Sequence, residues 1–256
     1  MPDTSLGRFP GFWVELRNFL RFVVSPNWRR LPGRSARRGW LEDWFPKMPL
    51  TRLLQWAALL WGINMVVLGP IAVAAAGMGG AEHRLMLDRL PWLQAILWAP
   101  IVEELTFRYV LRSPARLWWL LPAAVCALLV GPGWQTALLV AATVLACWWP
   151  HLSPHSVSLQ PSSFRLRRAW HRYFGVLVHV SCLVFAAVHL NNFSLHQTPW
   201  WLMPFLVLPQ WVTGLVLAWM RVRRGVGASM MLHSLFNGGP LLAVWIVIQI
   251  MGGVPS

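Results

Sequence analysis

Seven long apolar runs, at roughly 53–78, 91–111, 116–131, 134–150, 173–195, 199–220 and 227–251, leave this chain few ways to fold. About 20 apolar residues cross a bilayer core, and a spanning segment must satisfy its own backbone hydrogen bonds, so each run reads as a membrane helix. Composition agrees: 57% of the 256 residues are hydrophobic and only 12% charged, against about a quarter charged in a soluble domain. The same apolar content excludes disorder. Cys126, Cys147 and Cys182 all lie in apolar runs, which excludes a disulfide scaffold. The expected fold is an all-α, polytopic transmembrane bundle of about seven spans.

Lys and Arg outnumber Asp and Glu by 22 to 8, a net charge of +14. In a soluble protein that balance points to nucleic acid. Here the cations sit between apolar runs beside 19 tryptophans, the pattern that orients and anchors a bilayer protein. No zinc-finger or paired-cysteine spacing supports nucleic-acid binding, so the expected partners are membrane lipids. Ten Lys and Arg precede the first span, counting Arg52. Arg84 and Arg89 are balanced by Glu82 and Asp88, and residues 131–133 carry no charge. Arg112 and Arg116, then Arg165, Arg167, Arg168 and Arg172, then Arg221, Arg223 and Arg224 mark the other basic loops. Basic and neutral loops alternate, which predicts a cytoplasmic N-terminus and an outside C-terminus.

Residues 1–50 read as a cytoplasmic or interfacial segment and 51–256 as the membrane domain. Phe9 to Val24 is interrupted by Glu15, Arg17 and Arg21, so it is no cleavable signal but a short helix lying on the membrane surface. Pro26 to Pro49 reads as an irregular segment, and His151 to Arg172 as a loop.

The acidic residues locate the chemistry. Glu103 and Glu104 sit inside an apolar run, and no acid follows them. A carboxylate at membrane depth costs several kcal/mol, so the pair is a functional-site candidate. Glu104 and Arg108 are four apart and can pair on one helical face, which leaves Glu103 free on another. An ordinary ion pair with a surplus glutamate near the interface is the structural alternative. Five histidines, His83, His151, His155, His171 and His196, fall in loops or at span ends. His179 reads as packing. His189 follows Phe185 by four residues and precedes Asn191 and Asn192, while His233 shares a face with Asn237.

A carboxylate, two histidines and an amide on three spans can converge on one buried polar cavity. Glutamate or histidine can activate water as a general base, and histidine or asparagine can stabilise an oxyanion. Glu103, His189 and His233 can equally hold a catalytic zinc with water as fourth ligand. Both routes hydrolyse an acyl bond; nothing points to an organic cofactor. A proton-relay transporter is the rival from another class, and it lacks the internal repeats such proteins usually show.

Glu103-Glu104-x-x-x-Arg108, Phe185-x-x-x-His189 and His233-x-x-x-Asn237, in that order within 91–250, resemble the three motifs of the CPBP intramembrane proteases. That family includes CAAX prenyl endoproteases of the Ras-converting type and bacterial bacteriocin-processing and immunity proteins. The resemblance implies an intramembrane endopeptidase acting on a membrane-associated protein or peptide, in a bacterial inner membrane. It implies that Glu103 and His189 activate water, that His233 and Asn237 steady the oxyanion or His233 joins a divalent metal, and that Glu104 and Arg108 support them. A non-catalytic immunity protein or scaffold of the same fold is the alternative within the family. Tyr109 stands where the resemblance leads one to expect a small residue, and is expected to narrow the site.

Overall fold

A computed structural model describes residues 10–30, 39–84, 90–152 and 161–251, and they are helical almost throughout. Asp88, Arg89 and His155 lie outside the described residues. In chain order the helices are α1 (Phe12–Val24), α2 (Gly39–Trp44), α3 (Leu50–Gly79), α4 (Ala99–Glu103), α5 (Leu117–Val130), α6 (Trp134–Leu152), α7 (Pro161–Arg172), α8 (Phe174–Val188), α9 (Leu208–Arg223) and α10 (Val226–Ile250). One two-residue antiparallel pairing, β1 (Glu82–His83) with β2 (Phe193–Ser194), ties the loop after α3 to the end of α8.

Among the described residues three helices are long and apolar enough to cross a membrane: α3, Phe174–Asn192 and α10. A fourth is added if Trp200–Leu206 and α9, bent by 48°, count as one span. By this measure up to four of the seven expected spans are supported. The helices over Pro114–Val130 and Trp134–Trp149 are apolar but short. The run at 91–111 is broken into π, α and 3-10 turns. Pro209, near the start of α9, lacks an N–H and crowds the turn before it, which accounts for the bend.

Among the described residues three π-turns interrupt the helices, at Asn64–Leu68, Gln94–Trp98 and Glu104–Arg108. Proline explains the first two. Pro70 and Pro100 each follow two residues later, and a proline ring clashes with the carbonyl four residues back, here Val66 and Ile96. No such proline follows the third, which carries the Glu104–Arg108 motif; π-turns often mark functional sites.

The core sits on α9. Leu217, Ala218, Trp219 and Met220 are buried against α8, α10 and α3. α1 joins this core instead of lying free on the membrane. It buries Phe19 and Phe22 on Trp56 and Trp219, with ring centroids of Phe19 5.7 and 6.1 Å from the two tryptophans. Its Glu15, on the same face, is buried, accepts from Trp56 Nε1 at 3.2 Å, and pairs with Arg52 and Arg224. The segment after α1 is docked too. Asp43 on α2 makes a two-oxygen ion pair with the buried Arg221, at 2.8 and 2.7 Å. Arg221 and Arg223, taken from the sequence as loop charges, are buried at the end of α9. Likewise, residues 161–172 of the expected loop form helix α7.

Candidate active site

The site begins where the helix carrying the motif breaks. After the π-turn Glu104–Arg108 the chain tightens into a 3-10 turn, Tyr109–Leu111, with Arg108 at φ −125°. Backbone carbonyls at such a break need donors in a buried environment. Arg221 supplies two: its Nε donates to the Arg108 carbonyl at 3.2 Å and its Nη2 to the Tyr109 carbonyl at 3.1 Å. Ser181 on α8 donates to the carbonyl of Phe107. The motif is thus held from two neighbouring helices.

Glu104 is fully buried and has three partners. Arg108 Nη1 donates to its Oε1 at 2.6 Å, the pairing that the four-residue spacing predicts. The Ser229 hydroxyl lies within hydrogen-bond distance of its Oε2, and also 3.0 Å from the Leu217 carbonyl. His233 Nδ1 lies 3.1 Å from Oε1. Arg108, itself fully buried, has its guanidinium carbon 3.8 Å from the centroid of the Phe185 ring. Gly214 on α9 makes room for this stack: a Cβ there would meet Phe185 at 3.1 Å and Arg108 Nη2 at 3.4 Å.

Glu103 faces the same histidine from the other side. His233 Nε2 is 3.6 Å from Glu103 Oε2, so the two ring nitrogens of His233 are divided between the two glutamates. Glu103 keeps 14% side-chain exposure, and its buried Oε2 has no hydrogen-bond partner among the described residues. His189, at the end of α8, has Nδ1 2.8 Å from the Phe185 carbonyl. Donation there from Nδ1–H leaves Nε2 as an acceptor in the neutral ring. Its ring centroid lies 4.6 Å from that of Phe185, and His233 lies 6.0 Å from the same ring. Both histidines thus flank Phe185.

Asn237 stands one turn beyond His233, and its Nδ2 donates to the Ala95 carbonyl at 3.0 Å. That bond ties α10 to the π-turn Gln94–Trp98 ahead of the glutamates. Tyr109 packs against Trp44 at 5.6 Å between centroids, and its hydroxyl accepts from Arg116. Among the described residues no group of three or more His, Cys, Asp or Glu is arranged to hold a metal ion. Glu103, His189 and His233 remain the residues that would hold a divalent metal, His233 through Nε2, which Glu104 leaves unengaged.

Two contributors were missed in the sequence. Ser229 lies four residues before His233, so the spacing Ser229, His233, Asn237 marks one face of α10. Arg221 gave a weaker signal, a single arginine inside the apolar stretch Leu215–Val222.

No curated protein and no solved structure matches the chain. Residues 85–239 do match a protein family, described as Rce1-like, type II CAAX prenyl endopeptidase. That match covers more than half of the chain and contains all the motif residues from Glu103 to Asn237, so the chain belongs to the Rce1-like family of type II CAAX prenyl endopeptidases.

Proposed function

We propose that this protein is an intramembrane endopeptidase that hydrolyses a peptide bond near the C-terminus of a CAAX-type, membrane-associated substrate. One observation carries the reading: Glu103 Oε2, with no hydrogen-bond partner among the described residues, faces His233 Nε2 across 3.6 Å. In this reading a water bridges the two atoms at hydrogen-bond distances of about 2.8 Å.

In this reading Glu103 takes the proton from that water as the new C–O bond forms at the scissile carbonyl. His189 Nε2 is a second acceptor for the same water. With both ring nitrogens protonated, His233 donates Nδ1–H to Glu104 and Nε2–H to the developing oxyanion. Glu103 then returns the proton to the amine nitrogen as the C–N bond breaks. Asn237, whose amide already donates to Ala95, is assigned a positioning role. Glu104, Arg108 and Ser229 form the support beneath.

The test is cleavage of a farnesylated CAAX peptide by the purified protein, with an unprenylated peptide of the same sequence as control. Glu103→Gln is expected to lower the rate by about 10²–10⁴-fold, the usual worth of a general base, with an unchanged melting temperature. A Glu103→Gln variant that cleaves at the wild-type rate overturns the mechanism. Failure of the wild-type protein to cut the prenylated peptide overturns the substrate class.

A further inference from the structure

We infer that the basic corner between the Pro26–Arg29 turn and the α7–α8 junction binds the phosphate-bearing headgroup of an anionic membrane lipid. The corner contains a cavity of about 480 Å³ lined by Pro26, Asn27, Trp28, Arg29, His171 and Phe174. None of these lining residues is acidic.

Its walls are fixed. The Trp28 ring lies 4.5 Å from His171 and 5.1 Å from Phe174, centroid to centroid, and the Arg112 guanidinium lies 4.9 Å from the Trp28 ring. Arg112 also donates to the Trp28 carbonyl at 2.6 Å. Asn27 Oδ1 accepts from Arg223 Nη1 at 2.9 Å and from the Arg29 backbone N–H at 3.2 Å. Two buried or half-buried arginines therefore back the cavity with positive charge.

The adjoining helix extends that field. α7 turns Leu166 and Trp170 inward, and Trp170 Nε1 donates to the Leu111 carbonyl at 3.2 Å. It exposes Arg165, Arg167, Arg168 and Arg172, with no acidic partner for them among the described residues. Basic clusters at a membrane surface attract anionic lipid headgroups.

An apolar strip decides between a lipid and a soluble anion. From the cavity, α8 continues with Val176, Val180, Leu183 and Val184 exposed, spaced three or four apart along one side. Val24, at the end of α1, is exposed as well. Charge above and a lipid-facing apolar stripe below match one amphiphile. A soluble phosphate would use only the first.

The test uses the full-length protein in detergent, titrated calorimetrically with short-chain phosphatidylglycerol, short-chain phosphatidylcholine, inorganic phosphate and an oligoglutamate peptide. Phosphatidylglycerol is expected to bind saturably and the other three weakly. Arg29→Gln and Arg172→Gln should each weaken that binding about fivefold, while Arg17→Gln, on the exposed face of α1, leaves it unchanged. Arg172→Lys guards against a folding artefact, because it keeps the charge and should keep most of the affinity. Equal binding of the two lipids, or variants that bind as the wild type does, overturns the site. Equally tight inorganic phosphate, or tighter oligoglutamate, also overturns it and assigns the corner to a soluble anion or an acidic protein.

Discussion

Glu104 and Glu103 are adjacent in sequence, yet substitution should separate them completely. Glu104→Gln removes the only carboxylate bonded to Arg108 among the described residues and strands a fully buried guanidinium. Breaking a buried ion pair costs about 3–5 kcal/mol, so this variant should melt well below the wild type in detergent. Its loss of cleavage should follow that unfolding. Glu103→Gln should melt normally and be inactive. A folded, inactive Glu104→Gln beside an active Glu103→Gln reverses the two roles. At this scale the Glu104–Arg108 pair was readable, because a four-residue spacing is local. The grip of His233 on both glutamates was not, since it depends on how α10 packs against the motif. Arg221 was misread for a related reason: its acidic partner, Asp43, lies 178 residues away.

Among the elements, the break at Arg108–Tyr109 and the Asp43–Arg221 pair act together. Arg221 can donate to the two carbonyls at the break only while its own charge is balanced, and Asp43 balances it. Asp43→Asn should therefore lower the melting temperature by the equivalent of about 3–5 kcal/mol, a buried cation being left without its carboxylate. It should also slow cleavage by letting the motif backbone shift. A melting curve that overlays the wild type shows that the Arg108 and Tyr109 carbonyls and water suffice for Arg221. The helices themselves were legible from apolar length, whereas the docking of α1 and α2 was not. Glu15, Arg17 and Arg21 make α1 look solvated, and nothing in its own sequence says that Glu15 meets Arg52 and Arg224.

For the whole molecule, the basic loops predict orientation and helix length tests it. Reporters fused after Ser256 and within residues 153–160 should lie on opposite sides, outside and inside respectively. Terminal reporters are blind to one question, because α5 and α6 enter or leave the span count as a pair. A reporter at residues 131–133, between them, should be outside if both cross. Finding it inside makes the pair a re-entrant hairpin and leaves the ends where they were. Hydropathy suggests seven spans and unbroken helix length supports three or four, because the first registers apolar content alone.

The Asp43–Arg221 contact also separates two meanings of the word domain. Shared ancestry is visible only over residues 85–239, yet the counterion for a fully buried arginine within that stretch comes from residue 43. Glu15, further upstream, does the same for Arg224. The stretch that matches the family is consequently smaller than the folding unit. A gene fragment cut at the homology boundary would encode the motif residues and still leave Arg221 without its carboxylate.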